Sequence, residues 1–324
     1  MPLTSAAIDQ HIAQWSAALA TSRSPYRKFW PKYLFRHERV ENAARILRSG
    51  QLLSRVGSAQ IQHIDVAAAD VVSATDRAHA SARLYFRPTT PTQYHLEGIK
   101  KPTEYYRENV HAPVLVMFAF NAKTVLNLPG VAFSDGNMQS PSTTVGSDKD
   151  FFEQLPFDAV YHVGAFVHED RDRILRARCA EVLAPSPLAL AGHLQAIVCR
   201  SPAERAFLLH LAGSQAASAW SKRTSVFAEQ GVFENKWVYV DSVEATSDGV
   251  RIKFHPRVDS KTIDFDAEIW RGETRIYRGG KQDANASMIW HLKQPLTNGQ
   301  YKICIKVEGC LAYEALVLVD DLPF

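Results

Sequence analysis

The feature that most constrains this chain is a change of texture near residue 230. Beyond it, "KWVYVDSVEAT", "GVRIKFHPR", "DFDAEIWRG", "TRIYRGG", "ASMIWHLKQPL", "QYKICIKVEG" and "YEALVLVDD" alternate apolar and polar residues between Gly, Asn and Asp turns. Alternation with a period of two is the signature of half-buried strands. Seven short strands at this spacing predict a small antiparallel sandwich, Ig-like in outline, over residues 233–324. Before the change, helical spacings and strand-length apolar runs are mixed, so the chain is expected to combine two architectures with a boundary between 225 and 233.

The first part reads as an α+β unit over residues 31–228, preceded by a helical segment over 1–30. Ile8, Ile12, Trp15 and Leu19 recur at three- and four-residue intervals, and the prolines of "SRSPYRKFWPKY" then break the pattern. "YLFR" reads as a strand, and Val40, Ala43, Ala44 and Leu47 form a helical stripe closed by Gly50. Residues 57–82 read as a loop with a helical piece in "DVAAADVVSATDRAHA". "ARLYFRPTTP" is a strand ended by proline, and the continuous apolar run "APVLVMFAFN" predicts a central strand. "FSDGNM" carries an Asp-Gly turn signal, "KDFFEQL" a short helix and "QAIVCRS" a further strand, after which residues 201–222 return to a helical pattern.

Composition narrows the classes. A net charge of +3 permits a nucleic-acid partner without requiring one. The four cysteines form no C-x-x-C pair, so neither a zinc knuckle nor a disulfide framework is expected, and a reducing cytoplasm fits. The N-terminus lacks a signal-peptide pattern and no run approaches the ~20 apolar residues of a membrane span, so no membrane association is expected. The histidines are scattered, and no metal site is predicted. H-E-x-x-H, G-x-S-x-G, the P-loop and G-x-G-x-x-G are absent from the sequence.

Three pieces in order say more. "PKYLFRHERVENAARILRSGQLLS", "LYFRPTTPTQY", and "FSDGN" followed by "FFEQL" and "DRDRILRARCAEVLAP" resemble, in order and spacing, the DarT-type ADP-ribosyltransferase toxins, over about residues 31–210. The matching motifs are Y-F-x-P-x-[ST]-P, F-[ST]-D-G, and an Arg-rich run into A-E-[FV]-L. The resemblance implies a split, twisted sheet around a cleft for NAD, which is a substrate, and it makes Glu181 the catalytic residue. Cleaving the nicotinamide bond develops positive charge on the ribose; a carboxylate stabilises that charge, holds the 2′-hydroxyl and takes the proton of the attacking base nitrogen. On a strand, Cys179, Glu181 and Leu183 share one face. The same stretch also reads as a helix, with Glu181 three residues from Arg178 in a surface pair.

The family's Y-H-[IV]-T-[HN] stretch stands here as Tyr33-Leu34-Phe35-Arg36-His37, so Leu34 replaces the first His. His37 is the remaining candidate for the ribose, with Arg36 as a planar donor to phosphate or ribose. The resemblance also implies an arginine before the Y-F strand; Arg77 is the best positional match, with Arg55 and Arg83 as competitors. Tyr85 is expected to stack on nicotinamide or base, or to be core; Phe86 is expected in the core. Arg87 is a candidate phosphate ligand, Arg176 a further grip on the acceptor, and Asp135 and Asn137 candidate cleft-lining residues.

What the resemblance implies is an NAD-dependent mono-ADP-ribosyltransferase acting on a nucleobase of single-stranded DNA, in a bacterial toxin or phage-defence role, with a macrodomain-type antitoxin as partner. The alternatives are transfer to RNA or protein, or a silent NAD- or partner-binding module carried by the sandwich.

Overall fold

The computed structural model describes residues 1–58, 76–106, 111–227 and 231–320, with the side chains of residues 58, 76 and 77 left out. Helix α1 (Ser5–Ala20) starts where the Thr4 hydroxyl accepts the N–H of Ala7 at 3.3 Å. Its buried stripe includes Ile8 and His11, and the His11 ring packs 4.2 Å from Phe157. The N-terminal segment is thus fastened onto the main body.

Strand β1 (Tyr33–Arg39) runs directly into α2 (Val40–Ser49), which Gly50 ends in the left-handed region at φ 67°. Then come β2 (Gln51–Leu52), α3 (Arg55–Ser58), α4 (Asp76–Ala80), β3 (Ala82–Tyr85) and α5 (Pro91–Leu96). Of the helical piece expected in "DVAAADVVSATDRAHA", α4 is the described part; residues 59–75 lie outside the described residues. The apolar run forms β4 (Leu115–Asn121), with Leu115 to Phe120 all buried. It leads into α6 (Ala122–Leu126), β5 (Ala132–Ser134), β6 (Val145–Gly146), α7 (Lys149–Gln154) and α8 (Phe157–Val160).

The Arg-rich stretch divides. Helix α9 (Arg171–Ala177) closes with a turn in which the N–H groups of Cys179 and Ala180 donate to the carbonyls of Arg176 and Ala177, and β7 (Glu181–Ala184) begins at Glu181. Both readings of that stretch were therefore half right, and the glutamate falls on the strand. Strands β8 (Leu188–Ala189) and β9 (Leu194–Cys199), helix α10 (Pro202–Trp220) and strand β10 (Thr224–Val226) complete this part.

Eight of these strands form one sheet in the order β10-β9-β4-β1-β3-β7-β5-β6. Its two halves are unequally joined. β1 pairs with β4 through seven residues, whereas β1 and β3 share the single pair Phe35↔Tyr85. Beyond that pair the ladder is open, which is the split that the resemblance implied. β3 then pairs with β7 from Ala82↔Ala184 to Tyr85↔Glu181, which puts Arg83, Tyr85, Glu181 and Leu183 on one face.

The C-terminal part contains all seven expected strands: β11 (Tyr239–Thr246), β12 (Gly249–His255), β13 (Thr262–Arg271), β14 (Thr274–Asn285), β15 (Ile289–Leu292), β16 (Gly299–Val307) and β17 (Cys310–Val319). They form sheets β11-β12-β15 and β14-β13-β16-β17, which meet through Phe254 against Phe265 at 5.3 Å. The Tyr301 hydroxyl donates to the carbonyl of Thr297 at 2.8 Å, the tyrosine corner of Ig-like sandwiches. All four cysteines are free thiols.

Between the two parts lies a buried polar junction. Arg200, at the end of β9, donates to Glu204 of α10 and to the carbonyl of Pro113, lies 3.8 Å from Glu97, and stacks its guanidinium 4.7 Å from the ring of Tyr239 in β11. Ser201 donates to the carbonyl of Val240, and Glu97 accepts the N–H groups of Glu234 and Asn235 at 3.0 Å each.

Candidate active site at the split of the sheet

Glu181 opens β7 at the centre of the half-sheet beyond the split, and it is fully buried. A carboxylate there needs partners. Arg83 Nε donates to Oε2 at 2.5 Å and Nη2 to Oε1 at 2.6 Å, a bidentate fork from the adjoining strand. The N–H of Met138 adds a third bond to Oε1 at 3.2 Å, and the Glu181 N–H donates to the Ser134 hydroxyl at 3.1 Å. A carboxylate offers about four acceptor positions. Among the described residues three are taken, two on Oε1 and one on Oε2.

Across the split stands a second pair. Arg36 Nε and Nη2 donate to Glu38 Oε1 at 2.8 and 2.6 Å, and Arg36 Nη1 reaches the carbonyl of Arg83 at 3.5 Å. Burial disfavours the charge of Arg36, but Glu38 beside it outweighs that and the net shift is upward. The same holds for Arg83, where Glu181 overcomes the cost of burial. The His37 ring lies parallel to Tyr85, 5.4 Å between centroids at 5°, so the one residue pair that joins the halves is reinforced by a stacked ring pair. Burial, and secondarily Arg36, lower His37 to about 3, so its imidazole is neutral. Burial and then Glu181 hold the Tyr85 phenol well above its ordinary range.

The predicted residues thus separate into those that converge and those that do not. Glu181, Tyr85, His37 and Arg36 surround the split. Arg83, first only a competitor, is the arginine on the carboxylate. Strand alternation in "ARLY" places it on the face of Tyr85, and that was the available signal. Arg77 falls in α4, with its side chain outside the described residues, and Arg55 lies in α3. Arg87 departs from the phosphate-ligand expectation: it is 2% exposed, its guanidinium donates to the carbonyls of Pro88, Val160 and His162, and burial followed by Arg178 pushes it down to about 9. It anchors backbone. Phe86 is core, as expected, edge-on to Phe157.

"FSDGN" forms one wall of a cleft of about 860 Å³ whose lining includes Asp135, Asn137, Phe151, Arg173, Arg176 and Cys179. Asp135 accepts from Arg176 at 2.7 Å and from the Thr144 hydroxyl at 2.8 Å. Its glycine is set by close approach: a Cβ at Gly136 would lie 2.8 Å from Arg176 Cγ. Cys179 links this cleft to the face of Glu181, and burial followed by Glu181 pushes its thiol up to about 12. No group of three or more metal-ligating side chains occurs among the described residues, nor a helix long and apolar enough to cross a membrane.

Comparison with known proteins decides the family. The family model for the ssDNA thymidine ADP-ribosyltransferase DarT matches residues 35–230. The chain belongs to the DarT family. It thereby belongs among ADP-ribosyltransferases, as the motifs implied, and the matched segment ends where the sandwich begins. Among solved structures, Thermus sp. 2.9 DarT in complex with NAD+ is 16% identical, covering 62% of this chain and 97% of that one with a TM-score of 0.46. The same protein with ADP-ribosylated ssDNA gives 17%, 62%, 96% and 0.48. Thermosipho africanus DarTG in complex with ADP-ribose is 19% identical, covering 68% of this chain and 55% of that one, with a TM-score of 0.44. No curated protein matches.

Proposed function

We propose that this DarT-family protein transfers ADP-ribose from NAD to thymidine in single-stranded DNA, with Glu181 as the catalytic carboxylate. The observation that carries the reading is the buried Glu181 at the split, lying within the family-matched segment and keeping one acceptor position on Oε2. In the reaction the bond between ribose C1′ and the nicotinamide nitrogen breaks. Nicotinamide leaves with the bonding electrons, and the ribose becomes cationic. Glu181 stabilises that cation and keeps the remaining position on Oε2 for the proton released in the next step. The ring nitrogen of thymine bonds to C1′, and its proton passes to Glu181. Neutral His37 offers one N–H to the donor's ribose, and Arg36 one edge of its guanidinium.

Charge supports the acceptor's place. Residues 1–232 carry 25 Lys and Arg against 20 Asp and Glu, whereas 233–324 carry 12 against 14. The excess of cations favours a polyanion on the transferase part, where Arg173 and Arg176 line the cleft. A toxin or defence role, neutralised by a macrodomain that removes the modification, follows from the family resemblance. The test is incubation with NAD and separate DNA, RNA and protein pools, followed by nucleoside mass spectrometry. ADP-ribosyl-thymidine from the DNA pool alone is expected. Label confined to RNA or protein would overturn the acceptor, and no labelling with no NAD binding at millimolar concentration would overturn the activity.

A further inference from the structure

We propose that Arg83 is a positioning residue for the reaction, holding the Glu181 carboxylate fixed in one orientation at the split. The inference rests on the functional reading above. Arg83 immediately precedes the quoted "LYFRPTTPTQY" piece, and what is inferred here is its action on Glu181.

Three observations carry it. The fork is bidentate and short, Nε to Oε2 at 2.5 Å and Nη2 to Oε1 at 2.6 Å, so it fixes the plane of the carboxylate. The two partners differ in access: the Glu181 side chain is 0% exposed and that of Arg83 19%, so the cation stands between the anion and the outside. A carboxylate so enclosed is neutralised unless a cation accompanies it. Finally, Arg83 is tied to the other half of the sheet, because Arg36 Nη1 donates to its carbonyl at 3.5 Å. Arg83 therefore presets the free position on Oε2 relative to β1, the strand that carries His37 and Arg36. The Met138 N–H is a neutral donor and cannot replace the charge.

The experiment compares wild type, Arg83→Met and Arg83→Lys in transfer from NAD to single-stranded DNA at pH 7. For Arg83→Met, kcat should fall on the order of 10²-fold, with the KM for NAD within about threefold. Arg83→Lys should restore only part of kcat, because a point charge lacks the fork. Activity lost with a raised KM would make Arg83 a donor ligand and overturn the proposal. Wild-type behaviour of Arg83→Met would also overturn it. Melting temperature separates this from failure of the functional reading. If wild type transfers nothing, the activity is wrong, yet Arg83→Met should still melt lower than wild type, and adding Glu181→Gln should recover most of that loss. A double variant no more stable than Arg83→Met would sink the proposal whatever the activity.

Discussion

Two of the buried arginine–carboxylate clusters among the described residues differ in access. At the junction, Arg200, Glu204 and Glu97 have side chains at 0%, 1% and 0% exposure, closed over by Tyr239 and the chain leading into the sandwich. At the split, Glu181 is equally buried but its partner Arg83 is 19% exposed and beside a gap in a sheet. The same chemistry thus serves two ends. A closed cluster contributes geometry, joining Glu97, the start of α10 and β11. A cluster with one open side suits the role proposed for Glu181, an anion that meets a cation only when substrate reacts. The difference lies in the cation's access, 0% for Arg200 against 19% for Arg83.

The comparison is broken most severely at the junction. Arg200→Met leaves Glu204 and Glu97 buried without their cation, and a loss of about 3–5 kcal/mol of stability is expected, near the whole margin of an ordinary domain. Chemical denaturation measures it. A loss under about 1 kcal/mol would mean that the junction is not a weld. The corresponding change at the split has the opposite balance. Glu181→Gln should lower transfer on the order of 10²-fold or more. Its stability cost should be smaller than that of Arg200→Met, because Arg83 can turn toward water. Side-by-side transfer and melting assays decide it; near wild-type transfer would remove Glu181 from the chemistry.

Acid should loosen the transferase part through its buried histidines. Burial lowers His11 to about 4 and, with Arg36 contributing secondarily, His37 to about 3. Their folded values lie below the unfolded value of about 6.5, so the unfolded chain binds more protons in that window. The stabilisation is present above about pH 6.5 and is lost as pH falls toward 4, at a cost of up to about 3 kcal/mol for His11. Melting temperature against pH should therefore decline from 6.5 to 4, and His11→Gln should flatten part of that decline. An unchanged slope in the variant would assign the acid sensitivity to other groups.

How much of this was legible beforehand depends on the range of the interaction. Alternation and apolar runs are local, so the seven sandwich strands, β4 and α2 could be read directly. Glu181 was reached through motifs, but its element was ambiguous because helix and strand share "DRDRILRARCAEVLAP". The turn at Cys179 and Ala180 that separates them has no glycine or proline to mark it. Arg83 meets Glu181 across 98 residues, and Arg200 meets Glu97 through a fold that no local pattern encodes. Arg87 misled for the complementary reason. An arginine at a strand end looks like a phosphate ligand, and only the carbonyls of Val160 and His162, brought from another segment, show where its donors go.

The smallest effect sharpens the comparison from the surface. Arg176 pairs with Asp135 at 2.7 Å on the cleft wall, and its side chain is 40% exposed. An exposed pair of this kind contributes about 0–1 kcal/mol, so Arg176→Gln should leave melting nearly unchanged, unlike either buried cluster. If its charge instead serves the acceptor, the variant binds single-stranded DNA more weakly at low salt. The logarithmic dependence of affinity on salt between about 50 and 200 mM then becomes shallower by about 0.7, the share of one phosphate contact on a single strand. NAD affinity should not follow. A salt slope identical to that of wild type would remove Arg176 from the acceptor's path and leave it a surface ion pair beside the site.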